Sequence, residues 1–298
     1  MSLTYQVRKL YYGEETSYGQ AATMTDVLGL VTSWDPGAEL VHEDIRVGMR
    51  TIHKRIALGF NFSPSIEFLP LTGKFLKYVF GKVTNSGTAP PYTHTIEVGD
   101  SLKSLTVEVA LIGASAIAER AVGLLVDSAE ISFEEDGFLT ASLDCRAKSV
   151  TALTSYTDPA ISIPDKQPFK HRDVTVTIGT TTYGYVTSGR ITINNNLAEL
   201  PRSGDYIQGF VLQGAEYEGE VEIVFENFSL MNDFLSKTAR NVEIKFTRGT
   251  NDYINFKLLN SYIQVSPEVP FNADELVQTV AIYPETIQVE VKDDIASY

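Results

Sequence analysis

A mainly β protein, built as two tandem β units that each carry a short flanking helix, is predicted from three features of the chain. Residues 216–225 alternate strictly, with Glu216, Glu218, Glu220 and Glu222 interleaved by Tyr217, Gly219, Val221 and Ile223. A period of two sends successive side chains to opposite faces of an extended strand, so this segment has one carboxylate face and one apolar face. Residues 126–133 and 138–145 repeat the alternation on either side of the acidic turn Glu134, Glu135, Asp136, Gly137. The third feature is recurrence: a strand, a short helix and a hairpin follow one another in the same order in both halves.

The N-terminal segment 5–25 carries Tyr5, Tyr11, Tyr12 and Tyr18 without a sustained period, and is expected as an arm or extended lead-in. From 54 to 68, Ile56, Leu58, Phe60 and Phe62 alternate until Pro64 breaks the run, predicting a half-buried strand. Leu71, Phe75, Leu76, Val79 and Phe80 then form a helical stripe, with Pro70 at its first turn and Gly81 at its end. Strands follow over 93–98 and 102–111, and their junction at Gly99 and Asp100 predicts a hairpin.

Downstream, 217–225 is a strand and Ser229 offers an N-cap for a helix carrying Leu230, Phe234 and Leu235. Residues 242–246 and 253–258 close a hairpin around Arg248, Gly249, Thr250 and Asn251. Leu71, Phe75 and Leu76 superpose on Leu230, Phe234 and Leu235 without a gap. Val126, Ser128, Ile131 and Phe133 match Val186, Ser188, Ile191 and Ile193. Residues 155–170, with Pro159, Pro164 and Pro168, read as a stiff linker. The expected division is an arm and first β domain over 1–154, the linker over 155–170, and a second β domain over 171–298.

Composition narrows the functions open to such a fold. Forty-three per cent hydrophobic and 21% charged residues describe a folded chain. A formal net charge of −14 repels polyanions from most of the surface, so tight electrostatic binding of nucleic acid is not expected. The single cysteine, Cys145, excludes an intramolecular disulfide framework, and its alternating neighbours predict a core-facing thiol. The opening MSLTYQVRKLYYGEE lacks the apolar stretch of a signal peptide, and no apolar run reaches the ~18 residues needed to cross a bilayer.

Catalytic and cofactor motifs are missing. His42, His53, His94 and His171 are scattered without metal-ligand spacing, and His94, in a predicted strand, reads as a structural or surface imidazole. No phosphate loop, dinucleotide fingerprint, nucleophile elbow or zinc-protease string occurs. The glutamates at 216–222 stand roughly 6.5 to 7 Å apart in an extended strand, a spacing met in glycosidases. General acid and base work requires two carboxylates made unlike by their surroundings, whereas this row is uniform and reads as a solvated face. The sequons at Asn61 and Asn227 read as chance matches. No enzyme activity, cofactor or metal is expected.

Positive signal lies in the wording of particular segments. Tyr92-Thr93-His94-Thr95-Ile96 followed by Ser104-Leu105-Thr106-Val107-Glu108-Val109 resembles a hairpin of the major tail (tail tube) proteins of long-tailed phages and related archaeal viruses. Val126-Asp127-Ser128-Ala129-Glu130-Ile131-Ser132-Phe133 with Gly137-Phe138-Leu139-Thr140-Ala141-Ser142-Leu143 resembles that family's strand pair. Val186-Thr187-Ser188-Gly189-Arg190-Ile191-Thr192-Ile193-Asn194-Asn195-Asn196-Leu197 is similar to its later strand and turn. The likeness extends in patches over residues 83–256.

The resemblance implies tail-tube-type β-sandwich or barrel units whose rings share a lumenal barrel and stack into the tube that passes viral DNA during ejection. Two units per chain imply homotrimeric, pseudo-hexameric rings; six chains are the alternative. Partners would be further copies, a tail terminator and a tape measure, with viral DNA passing untethered, in the virion tail and, during assembly, the host cytoplasm. Glu130, Glu134, Glu218, Glu220 and Glu222 are the candidates for the lumen, with the exterior of the tube as the alternative for each. Tyr11, Tyr12, Arg46, Arg50 and Lys54 are the candidates for contacts between rings, with segments 36–50 and 285–298 also available. The alternatives are a decoration or baseplate β-sandwich, or a carbohydrate-binding module using Tyr183, Tyr185 and Tyr206.

Overall fold

The structure is a computed structural model that describes residues 7–48, 50–112, 116–224, 228–266 and 277–298. It is mainly β, with two short α-helices among the described residues. The chain opens with β1 (Val7–Glu14), β2 (Leu30–Asp35), β3 (Ala38–Ile45), β4 (Lys54–Phe62), β5 (Ser65–Leu69) and helix α1 (Leu76–Phe80). It continues through β6 (Gly81–Ser86), β7 (Tyr92–Val98), β8 (Leu105–Ile112), the long β9 (Ala116–Glu134), β10 (Thr140–Arg146) and β11 (Ser149–Leu153). After the proline-rich stretch come β12 (Val174–Ile178), β13 (Thr181–Tyr183), β14 (Val186–Asn194), β15 (Leu197–Glu199), β16 (Arg202–Ser203), β17 (Tyr206–Ile207), β18 (Phe210–Leu212) and β19 (Glu216–Val224). Helix α2 (Ser229–Leu235) precedes β20 (Arg240–Thr247), β21 (Tyr253–Ser266), β22 (Val277–Tyr283) and β23 (Thr286–Asp293).

A central antiparallel sheet runs in the order β2, β5, β10, β9, β14, β19, β22, β21. Two outer sheets share strands with it. The first contains β1, β8, the start of β9, and β11; the second runs β13, β12, β20, the start of β21, β23, β7, β6. Each long strand turns a corner between sheets at a residue of positive φ, Gly123 at 69° in β9 and Asn260 at 52° in β21. Alternation fills the space between sheets. Ile131, Phe133, Ile191 and Val221 from the central sheet join Leu105, Val107, Ile244, Phe246 and Phe256 from the outer ones in one buried cluster. Each such side chain contributes about 1.5–3 kcal/mol on burial, and the Phe133 and Phe246 rings meet edge to face at 5.2 Å.

The pairing pattern recurs along the chain. Strands β8 to β11 pair among themselves as β20 to β23 do. Strand β1 joins β8 as β12 joins β20; β5 joins β10 as β19 joins β22; and β2 joins β5 as β14 joins β19. Even the bulges correspond. Thr32 and Thr187 are the extra residues, and their hydroxyls donate to the carbonyls of Glu67 at 3.1 Å and Glu222 at 3.3 Å. The hairpin β6–β7 sits on β23, so an early element extends a late sheet.

Several details differ from the sequence reading. Within the segment expected as an arm or extended lead-in, residues 7–14 form β1, which pairs along its whole length with β8, and Leu10, Tyr11 and Tyr12 are buried; Tyr5 lies outside the described residues. Pro64 breaks the run as expected and β5 resumes beyond it, but β4 is not half-buried, since Ile56, Leu58 and Phe60 are exposed; the helix expected from Leu71 is regular only from Leu76, after turn bonds such as Leu76 N–H to the Gly73 carbonyl. Strands β7 and β8 form no hairpin: β7 lies between β6 and β23, and β8 between β1 and β9. Ser229 is the first residue of α2, with Phe228 at the cap position. The matching patterns at 126–133 and 186–193 mark neighbouring strands, with Ile131 opposite Ile191, because both segments serve the same two faces. Phe225 and Asn227, expected in the strand and a sequon, lie outside the described residues.

Candidate functional site

Opposite the core, the central sheet presents a polar face assembled by register. On β19 the alternation turns Gly219, Val221 and Ile223 inward and leaves Glu218, Glu220 and Glu222 outward. Their neighbours on β14 are Thr192, Arg190 and Ser188, and the next row on β9 is Glu130, Ser132 and Glu134. Beyond them lie Ser142 and Asp144 on β10, Glu67 and Ser65 on β5, and Ser33 and Asp35 on β2. Thr279 faces Glu222 from β22 on the other side. Across the strands no carboxylate of this face stands opposite another: their partners are Ser, Thr, Arg190 or Ala281, which limits like-charge opposition.

Glu134, Glu218 and Glu220 are exposed, and Glu130 and Glu222 are half-buried. Arg190 stands between two acidic rows, 3.9 Å from Glu130 and 3.7 Å from Glu220. Glu222 accepts hydrogen bonds from Thr187 at 3.0 Å and Ser188 at 3.1 Å, and Asp144 accepts one from Ser128 at 3.2 Å. At the end of β10, Arg146 is occupied by Asp127 at 3.0 Å. Within the central-sheet stretches of these strands, 125–134 of β9 and 262–266 of β21, no other described side chain is basic; Arg120 and Lys257 lie where those two strands run in the outer sheets. The face is therefore wet, anionic and almost without cations. A phosphate polymer passing it would find few places to displace counterions.

The remaining candidates are distributed elsewhere. Tyr11 and Tyr12 are each 2% exposed: Tyr11 donates to Asp158 at 2.9 Å and Tyr12 packs edge to face on Tyr78. Arg46, Arg50 and Lys54 are exposed around the tip of the β3–β4 hairpin, where Arg46 donates to the Arg50 carbonyl at 2.9 Å. That hairpin also exposes Leu40, Val47, Ile56, Leu58 and Phe60. Its base is held by Arg202, which donates to the Phe60 carbonyl at 2.9 Å and to the Asn61 side chain.

Of the tyrosines considered for a sugar platform, Tyr183 is buried and Tyr206 stacks on Phe62, leaving Tyr185 as the freely exposed ring. Cys145 is buried, which pushes its thiol well above the ordinary range. Among the described residues, no group of His, Cys, Asp and Glu could hold a metal ion, and no helix is long and apolar enough to cross a membrane.

Sequence reasoning identified five carboxylates of the polar face but missed Asp35, Glu67, Asp144 and Arg190. The alternation Ser65, Glu67 and Ser188, Arg190, Thr192 carried that signal. It becomes decisive once the strands are known to be neighbours. A family model described as phage tail tube protein matches residues 6–295. A comparison with curated proteins found no match.

Proposed function

Because this chain belongs to the phage tail tube protein family, with a structural role in the virion tail, we propose that its copies close into rings around the polar face of the central sheet. The observation that carries this reading is the face itself, with five candidate carboxylates and interleaved Ser and Thr on one side of one sheet. Closure of the sheet on its neighbours removes exposed edges and turns this face toward a common bore. Stacked rings then give a conduit through which viral DNA leaves without adhering. The recurrent pairing pattern supports two ring-forming units per chain, over 1–154 and 171–298 with 155–170 between them, and hence three chains per ring.

The β3–β4 hairpin, with Arg46, Arg50 and Lys54 near its tip, is the proposed contact to the next ring. Tyr11 and Tyr12, expected beside them as contacts between rings, are buried within the chain and are not part of this proposed contact. A tail terminator and a tape measure are the further partners, met in the host cytoplasm during assembly. Electron microscopy of the purified chain at high concentration, with sizing at low concentration, tests the assembly. Rings or hollow filaments are expected; a monomer at every concentration would overturn the reading.

A further inference from the structure

The central sheet ends on two unpaired edges. Among the described residues β2 pairs only with β5, and residues 262–266 of β21 pair only with β22. An edge of this kind offers a row of N–H and C=O groups to another strand. Within the chain one such junction is already closed, because β9 is bonded to β14. Strand β9 holds the place in the pairing pattern that β21 holds in its recurrence, and β2 the place held by β14. We propose that the β9–β14 seam is reproduced between copies, with the end of β21 of one chain pairing antiparallel with the start of β3, the continuation of β2, in the next. This rests on the ring reading above and names the edges and the register.

The bulges fix one side of the register. Matching Thr187 with Thr32 matches Asn194 with Glu39 and Asn195 with Leu40. The facing pairs fix the other side: Ala129 opposite Leu143 corresponds to Val265 opposite Val280, which matches Ser128 with Gln264. Asn194 faces Ser128 inside the chain, so Glu39 of one copy faces Gln264 of the next. Gln264 lies opposite Ala281, and Ala281 opposite Glu220, so this register keeps the polar face continuous across the junction. A slip of one residue would set an apolar row against a polar one. A neutral amide opposite Glu39 also avoids pairing like charges.

Side chains beside the two edges complement one another. At the inner seam Asn195 is buried and its amide donates to the carbonyls of Val79 and Val126, both at 3.0 Å. At the outer junction the corresponding residue is Leu40, which is 49% exposed in the single chain. Beside the β21 edge, a cleft where Phe234, Tyr262, Ile263 and Tyr283 meet Asp233, Lys237, Thr238 and Gln264 keeps Tyr262 52% exposed. The polar anchor of the inner seam is thus replaced by Leu40 on one partner and by the exposed rings of Tyr262 and Tyr283 in a mixed cleft on the other, apolar area that association would cover.

In a Cys145→Ala background, Glu39→Cys combined with Gln264→Cys should give covalent oligomers on oxidation of assembled rings. Either cysteine alone, or Gln264→Cys with Leu30→Cys, should not. Rings seen by microscopy without that cross-link would overturn the register and leave the ring reading standing; no rings from the unmodified chain would overturn the ring reading itself. Hydrogen exchange of the unmodified chain provides an independent arm. Assembly should slow amides in 37–40 and 262–266 at least tenfold, and protection confined to other segments would overturn the proposal.

Discussion

Gly189 and Asp293 show how much single positions carry. A Cβ on Gly189 would stand 2.5 Å from Phe133 Cζ and 3.2 Å from the Glu220 carbonyl, so β14 approaches its neighbours only without a side chain there. Gly189→Val is expected to cost about 1–3 kcal/mol through overpacking, read as a lower urea midpoint. Asp293 joins a buried group in which His94 lies between Asn85 at 2.7 Å and Asp293 at 3.3 Å, while its ring stacks on Tyr298 at 3.8 Å. Burial opposes ionisation of Asp293, but hydrogen bonds from His94, Tyr298 and the Ile295 N–H outweigh it and hold the carboxyl below its ordinary range. A depressed carboxyl stabilises the fold above its unfolded pKa and loses that contribution as pH falls through the folded value. Unfolding midpoints of the unmodified chain should therefore drop below about pH 4, and Asp293→Asn should be less stable at pH 7 with a flatter acid limb. The sequence left His94 as a structural or a surface imidazole; its burial decides for the first, and its partners were not legible, since Asp293 lies 199 positions away.

At the scale of elements, alternation located β10, β19 and β20, because a half-buried strand writes its two faces directly into sequence, but it found only 126–133 of β9 and 253–258 of β21 and missed the stretches where those strands run on into a second sheet. Partnership was harder to read. Tyr92–Val98 and Leu105–Ile112 follow one another with turn residues between them, yet each finds its bonds in a different sheet. Local spacing cannot register that choice. The helical stripe from Leu71 likewise overstated α1, since its apolar residues are buried whether or not the first turns are α-helical.

Two element-scale outcomes follow from the charges. Replacing Arg46, Arg50 and Lys54 by glutamate should leave the unfolding midpoint unchanged and arrest assembly at single rings, as counted by microscopy. Replacing Glu218, Glu220 and Glu222 by lysine should leave tubes intact but make them retain DNA at low salt. Its release should steepen by about 0.9 in the logarithmic salt slope per phosphate contacted. Tubes that retain no DNA would show that this row is not exposed to the polymer.

Over the whole molecule, a net charge of −14 and a carboxylate-lined sheet support the proposed role, in which copies assemble around a polyanion without binding it. If each of three chains contributes the eight strands of its central sheet, the ring encloses a barrel of about 24 strands, wide enough for an aqueous channel. A cryo-EM reconstruction of the assembled chain tests this most directly, because it shows symmetry and facing together. Three copies per ring are expected, with Glu130, Glu134, Glu218, Glu220 and Glu222 pointing into the bore; a tube whose bore is lined by the outer sheets, with these carboxylates turned outward, would contradict it.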